Sequence, residues 1–241
     1  MSDTLKQVPC QLLSKGRECT LTRAYQSPDR PSDYQHTEAP AMTSEAEKQS
    51  LWHGGIWLNK PHHNTLTPET LEIKTDEGSD FWRETFYGFT RDSGHFYGMP
   101  APESFTAQLR IRAEYAKLYD QAGIMVRVDE SRWVKAGIEL SDGRAMLSSV
   151  LTNGCSDWAT APYEGNPKDF WMRATVARGV LRLQVSADGK FWPLVRLAPF
   201  PQAASYLVGP MCCTPERAGL KVQFSEWSRD APLGKALHDL T

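Results

Sequence analysis

The chain is 241 residues long, 40% hydrophobic and 10% aromatic, and its 27 basic side chains nearly balance its 29 acidic ones, leaving a formal charge of −2. That balance lacks the clustered Lys and Arg excess by which a nucleic acid or an anionic membrane is held, and no apolar run approaches the ~18 residues of a membrane span. The cysteines Cys10, Cys19, Cys155, Cys212 and Cys213 show no C-x-x-C spacing, which argues against a disulfide framework or a zinc knuckle and for free thiols in a cytoplasmic protein.

Residues 1–50 come first in the chain. Rich in Ser, Thr, Gln, Glu and Pro and without periodic apolar pattern, they bury too little surface to offset the entropy of ordering and are read as a disordered leader. From Trp52 the pattern changes to short runs bounded by Gly, Pro, Asp or Asn, the mark of strands. Strands are predicted at residues 71–75, 81–87, 105–113, 123–128, 133–140, 145–152, 170–177, 181–186, 192–197, 206–211 and 220–227. Phe105, Ala107, Leu109 and Ile111 alternate with Thr106, Gln108, Arg110 and Arg112, the period of a strand buried on one face. Asp142-Gly143, Arg178-Gly179 and Asp188-Gly189 stand between such runs, where a hairpin needs positive φ and Gly supplies it. So many strands exceed one open sheet, so residues 51–230 are predicted to form one all-β domain, a sandwich of two antiparallel sheets. Residues 231–241 are read as a tail carrying a short helix at 233–240.

Several strings are more specific: SDFWRETFYGFTRDSGHFY at 79–97, YDQAGIMVR at 119–127, WVKAGIEL at 133–140, SSVLTNGCSDW at 148–158, VSADGKFW at 185–192 and VGPMCCTP at 208–215. In this order they resemble the domain family of unknown function that takes its name from a yeast regulation-of-enolase protein, over about residues 52–227. The resemblance implies a concanavalin-like sandwich of jelly-roll (lectin or glucanase) type. It supplies no chemistry. It does imply a glycolytic enzyme as partner through the family's name, and a carbohydrate-like ligand through related domains beside glycan-acting modules.

Strand parity nominates a site. In residues 123–128 and 133–140, Ile124, Val126, Val134, Ala136 and Ile138 share the core face, which leaves Arg127, Trp133, Lys135 and Glu139 together on the other face of a tight hairpin. Thr152, with Ser148, from the next strand, Arg173 from WMRATV and the Ser156-Asp157-Trp158 corner extend this into a polar, aromatic-bordered patch on a concave sheet face. Such a patch suits a polyhydroxylated or anionic small molecule, because aromatic faces stack on sugar C–H groups while Arg and Glu bond hydroxyls with direction. The bland reading is a solvated face of cross-strand ion pairs. His95 lies in a family-like motif and is expected at the rim of the patch, against the competing reading of a packed or turn-stabilising histidine; His62-His63 diverge on extended chain and are read as surface loop rather than metal ligands. No cofactor, metal or catalytic residue is assigned, since nucleophile-elbow, phosphate-loop and dinucleotide fingerprints are all missing. The leading expectation is a non-catalytic binding or regulatory module for a carbohydrate-like metabolite or a central-metabolism protein. The alternative is a glycan-acting enzyme pairing Glu139 with Glu84, Asp120 or Asp157; against it, the E-x-D-x-x-E signature is absent and Lys135 would hold Glu139 ionised.

Overall fold

Period-two alternation produces strands throughout residues 50–241, the part of the chain that the computed structural model describes. In order they are β1 (Ile56–Leu58), β2 (His63–Leu66), β3 (Thr70–Lys74), β4 (Phe81–Arg83), β5 (Thr90–Asp92), β6 (His95–Pro102), β7 (Phe105–Ala113) and β8 (Gln121–Asp129). There follow β9 (Arg132–Ser141), β10 (Arg144–Asn153), β11 (Cys155–Pro162), β12 (Asp169–Ala177), β13 (Val180–Ser186), β14 (Leu194–Pro199), β15 (Ser205–Cys213) and β16 (Lys221–Asp230). One sheet runs β1-β6-β15-β8-β9-β10-β11, and the other β14-β13-β12-β7-β16-β3-β2. The fold is the all-β sandwich that the alternation predicts.

Between the sheets lies the main core, where Leu109, Ile111, Ile124, Val126, Ile138, Phe170, Leu183 and Phe224 lose all access to solvent. Each such side chain contributes roughly 1.5–3 kcal/mol by leaving water. A second apolar layer forms on the outer face of the first sheet. There Phe81 and Trp82 of a separate two-stranded β4–β5 ribbon pack on Phe96, Met125, Trp133, Val150 and Met211. The sheet face is therefore covered at one end, and this cover creates the site.

The structure departs from the sequence reading in definite places. Strands β1, β2, β5, β6 and β11 were not predicted, and the run at 81–87 stops at Arg83. Pro100 and Pro102 conceal β6, yet they lie beyond Gly98, where β1 no longer pairs with it, so a missing N–H there breaks no ladder on that side. The expected 156–158 corner is instead extended strand β11, turned back against β10 at Gly154 with φ +83°. The tail holds no helix. Eight residues interrupted by Gly234 are too few to nucleate one, and the carbonyls of Lys235, Ala236, Leu237 and Asp239 instead accept hydrogen bonds from Arg182 of β13. The leader expected at 1–50, with Cys10 and Cys19, lies outside the described residues apart from Ser50. Cys212 and Cys213 are buried free thiols and Cys155 is an exposed one.

Candidate functional site

Register assembles the outer face of the first sheet into rows of directly opposed residues. Cys213, Gln121, Glu139 and Met146 form one row, and Met211, Gly123, Gly137 and Ser148 the next. Gly209, Met125, Lys135, Val150 and Trp158 form the third, and Leu207, Arg127, Trp133, Thr152 and Ser156 the fourth. Glycine is required in the second row: a Cβ on Gly123 would stand 1.9 Å from the Ala136 carbonyl oxygen, and one on Gly137 2.1 Å from that of Ala122. The bare backbone leaves a gap in the side-chain layer between Lys135 and Glu139.

The ribbon lies over the fourth row. Arg127 donates a two-pronged pair of hydrogen bonds to Asp92, at 2.7 and 2.8 Å. The Arg83 amide donates to Ser156 Oγ, which also bonds the Thr152 hydroxyl, and Arg83 Nε donates to the Gly154 carbonyl. Phe81 sits tilted on Trp133, ring centroids 6.0 Å apart. Arg127, Trp133 and Thr152 are thus consumed in fixing the ribbon.

Between the ribbon and the other rows is a cavity of about 180 Å³. Its floor is Lys135, Glu139, Gln121 and Val150, and its walls are Trp82, Tyr87 and Phe89 of the ribbon region, Tyr119, and Trp158 of β11, with Asp80, Arg91, Pro215 and Glu216 completing it. Trp82 meets Trp158 edge to face at 6.3 Å and Tyr87 at 5.6 Å. Both indole N–H groups are engaged within the protein, Trp82 Nε1 donating to the Thr85 carbonyl and Trp158 Nε1 to Ser148 Oγ, so the cavity meets only their rings. Glu84 and Phe86, in the turn between β4 and β5, and Tyr119 of the cavity wall hold φ between 60° and 63°, a left-handed conformation that costs a bulky residue energy and concentrates at functional sites. Phe86 is 94% exposed, so burial does not offset its strain.

The floor is a buried polar network rather than a solvated face. Lys135 and Glu139 are each 4% exposed. Lys135 Nζ donates to Asp80 Oδ1 at 3.0 Å, and Ser148 Oγ donates to Glu139 Oε2 at 2.8 Å. Burial pushes the Glu139 carboxyl above the usual carboxylate range, and the opposing pull of Lys135 and Ser148 does not cancel it. Burial alone would lower the Lys135 ammonium and is the largest single influence, but Asp80, Cys213 and Glu139 together outweigh it, and the pKa is raised. At the wall, the hydrogen bond with Tyr87, then burial, pushes the Tyr119 phenol up to about 12.

Of the residues nominated from sequence, Lys135, Glu139 and Trp158 meet in this cavity. Arg127, Trp133 and Thr152 share its sheet face but lie under the ribbon. Asp157 has the parity opposite to Trp158 and pairs with Arg196 of β14 in the other sheet. Arg173 does not belong to this patch. Its strand β12 pairs with β7 and β13 in the second sheet, where the guanidinium stacks 3.7 Å from the Trp192 ring and bonds Gln108. His95 is not at the rim either. Its parity is that of Cys212 in the main core, it is 3% exposed, and both ring nitrogens are engaged, with the Asn59 carbonyl and the Asp76 amide. None of the three carboxylates weighed as partners of Glu139 lines the cavity, whereas Asp80 and Glu216 do. Asp120 is buried and bound by Arg217 and two backbone amides, which fixes the loop bearing Glu216. Sequence reasoning missed Asp80, Trp82, Tyr87, Phe89, Tyr119 and Gln121. The signal for most of them was the aromatic density of DFWRETFYGF. Among the described residues no group of three or more His, Cys, Asp and Glu is placed to hold a metal ion, and no helix is long and apolar enough to cross a membrane.

A family model described as a protein of unknown function, DUF1349, matches residues 57–232. The chain is 67% identical over 187 residues to Regulation of enolase protein 1 of Saccharomyces cerevisiae, which spans 78% of this chain and 94% of that relative. A crystal structure of a functionally unknown protein from Saccharomyces cerevisiae is 65% identical and superposes with a TM-score of 0.75, covering 77% of this chain and 100% of that one. The GH43 BlXynB protein of Bacillus licheniformis is similar in fold alone, at 13% identity and a TM-score of 0.53 over 76% of this chain and 39% of its own.

Proposed function

The chain belongs to the DUF1349 family of proteins of unknown function, and from that premise we propose that it is a non-catalytic, regulatory binding module that takes a carbohydrate-like small molecule under the β4–β5 ribbon. The observation that carries this reading is the pairing of aromatic walls, Trp82, Tyr87, Tyr119 and Trp158, with a buried hydrogen-bonding floor of Lys135, Glu139 and Gln121. Ring faces shield the C–H surface of a sugar while the floor bonds its hydroxyls, and only a ligand with both kinds of surface uses both. The name of the Saccharomyces cerevisiae relative supports a regulatory role toward an enzyme of central metabolism, and we take a glycolytic enzyme as the protein partner.

One observation favours a glycan-acting enzyme: the Glu139 carboxyl is raised as a general acid requires, with Asp80 near it. Against it, Asp80 is held in an ion pair with Lys135 and so is poorly placed to serve as nucleophile or base. A thermal-shift screen of the full chain against sugars, sugar phosphates and glycolytic intermediates tests the reading. A ligand at a hundred times its Kd stabilises the native state by about 2.7 kcal/mol, so a saturable rise in melting temperature is expected for at least one sugar. No shift from any compound at millimolar concentration would overturn the proposal. Turnover of aryl glycosides that is lost in Glu139→Gln would replace it with the enzyme reading.

A further inference from the structure

The charges around the cavity restrict what it accepts. Three carboxylates, Asp80, Glu139 and Glu216, face two cations, Lys135 and Arg91. One cation is already committed: Lys135 is ion-paired to Asp80. The other, Arg91, lies over the Phe89 ring at 4.9 Å. A phosphate ester would bring a charge of roughly −1.5 to −2 into a low-dielectric space where acids outnumber bases, with no uncommitted cation on the floor. A quaternary ammonium, which aromatic walls alone would welcome, meets the buried Lys135 instead. The floor's free valences are of both kinds, since Lys135 Nζ and Gln121 Nε2 each spend one N–H within the protein and keep the others. Glu139 Oε2 receives the Ser148 hydroxyl, and Glu139 Oε1 has no hydrogen-bond partner among the described residues. Gln121 donates one of its two amide N–H groups to the Tyr119 carbonyl, and its side-chain oxygen has no hydrogen-bond partner among the described residues. Acceptors and donors side by side on a buried floor call for hydroxyl groups, which donate and accept at once. A volume of about 180 Å³, below the ~300–1,000 Å³ of drug-sized sites, suits one small ring.

Resting on the binding reading above, we infer that the cavity selects a neutral, unphosphorylated monosaccharide unit, and that Glu139 is the specificity-determining residue that accepts its hydroxyl protons. Trp158 and Ser148 position Glu139, because the indole N–H donates to Ser148 Oγ and that hydroxyl donates to the carboxylate.

Isothermal titration of the full chain, with tryptophan fluorescence alongside, tests this with glucose, galactose, mannose and xylose, with glucose 1-phosphate and glucose 6-phosphate, and with tetramethylammonium. At least one neutral sugar is expected to bind saturably, with each phosphate ester and the ammonium ion at least ten-fold weaker. Glu139→Gln is expected to lose at least ten-fold in affinity while keeping the circular dichroism spectrum of the parent. Should that variant fail to fold, Trp158→Phe keeps a ring and deletes the N–H, and a several-fold loss is expected from it. A phosphate ester binding as tightly as the neutral sugars, or tetramethylammonium alone binding, would overturn the selectivity and leave a binding pocket standing. Silence from every probe would overturn both this inference and the binding reading.

Discussion

Glu139 combines burial, a free oxygen and a raised carboxyl, and its titration is open to measurement. A carboxyl raised in the native state keeps its proton to higher pH than the unfolded chain does, so folding is favoured at low pH and that contribution is lost as pH rises from the ordinary 4.5 through the raised native value. Gln does not titrate. The stability of the parent relative to Glu139→Gln is therefore expected to fall with rising pH across that window and to stay level outside it. Urea unfolding of both proteins from pH 4 to pH 7.5 checks this, and a difference that is flat or climbs with pH would show that Lys135, not burial, governs the group. The neighbouring pair behaves differently: removing Lys135 alone would strand Asp80, whose side chain is only 14% exposed.

At the scale of elements, the β4–β5 ribbon decides whether a pocket exists. Without it, the rows of the first sheet would be an open face of mixed polarity. Its base is tied down by Arg127 on Asp92, by Arg83 on Ser156 and Gly154, and by Phe81 on Trp133. Arg127→Met keeps an apolar stem but leaves Asp92 without its two-pronged partner, and losing one partner of a buried pair costs about 3–5 kcal/mol, less here because Asp92 is one-third exposed. The loss is expected to fall on the ribbon rather than on the sandwich. Hydrogen exchange in residues 81–92 should rise at least ten-fold while amides of β7, β8 and β12 keep their protection. Uniform loss of protection across both sheets would mean that the ribbon is part of the cooperative core.

For the whole molecule, the described residues supply both apolar layers from Trp52 to Trp227, and the matched family span, 57–232, lies inside them. A chain beginning at Ser50 is therefore expected to fold with a melting temperature within a few degrees of the full chain's. Differential scanning calorimetry of the two decides, and a drop of ten degrees or more would show that residues before Ser50 complete the fold.

What the sequence determined by itself is the parity of its strands. Side chains alternate faces every residue, so Ile138 was legible as core and Glu139 as its opposite from local pattern alone, and the short β8–β9 connection was enough to bring Arg127, Lys135 and Glu139 to one face. The aromatic density of DFWRETFYGF was visible too, but not its use, since a ribbon of three-residue strands has no period long enough to declare a face. Which strands share a sheet was decided only by tertiary structure. Arg173 has a sound outward parity on the wrong sheet, and His95 an inward parity into its own hydrogen-bonded niche, because pairing partners distant in sequence carry no local signal. The pocket itself depends on long-range closure: residues 80–91 cross over β9 and β11, and Asp80 meets Lys135 across a sequence separation of 55. Local alternation fixes which way a side chain points, whereas what it points at depends on chain packing that no short window of sequence contains.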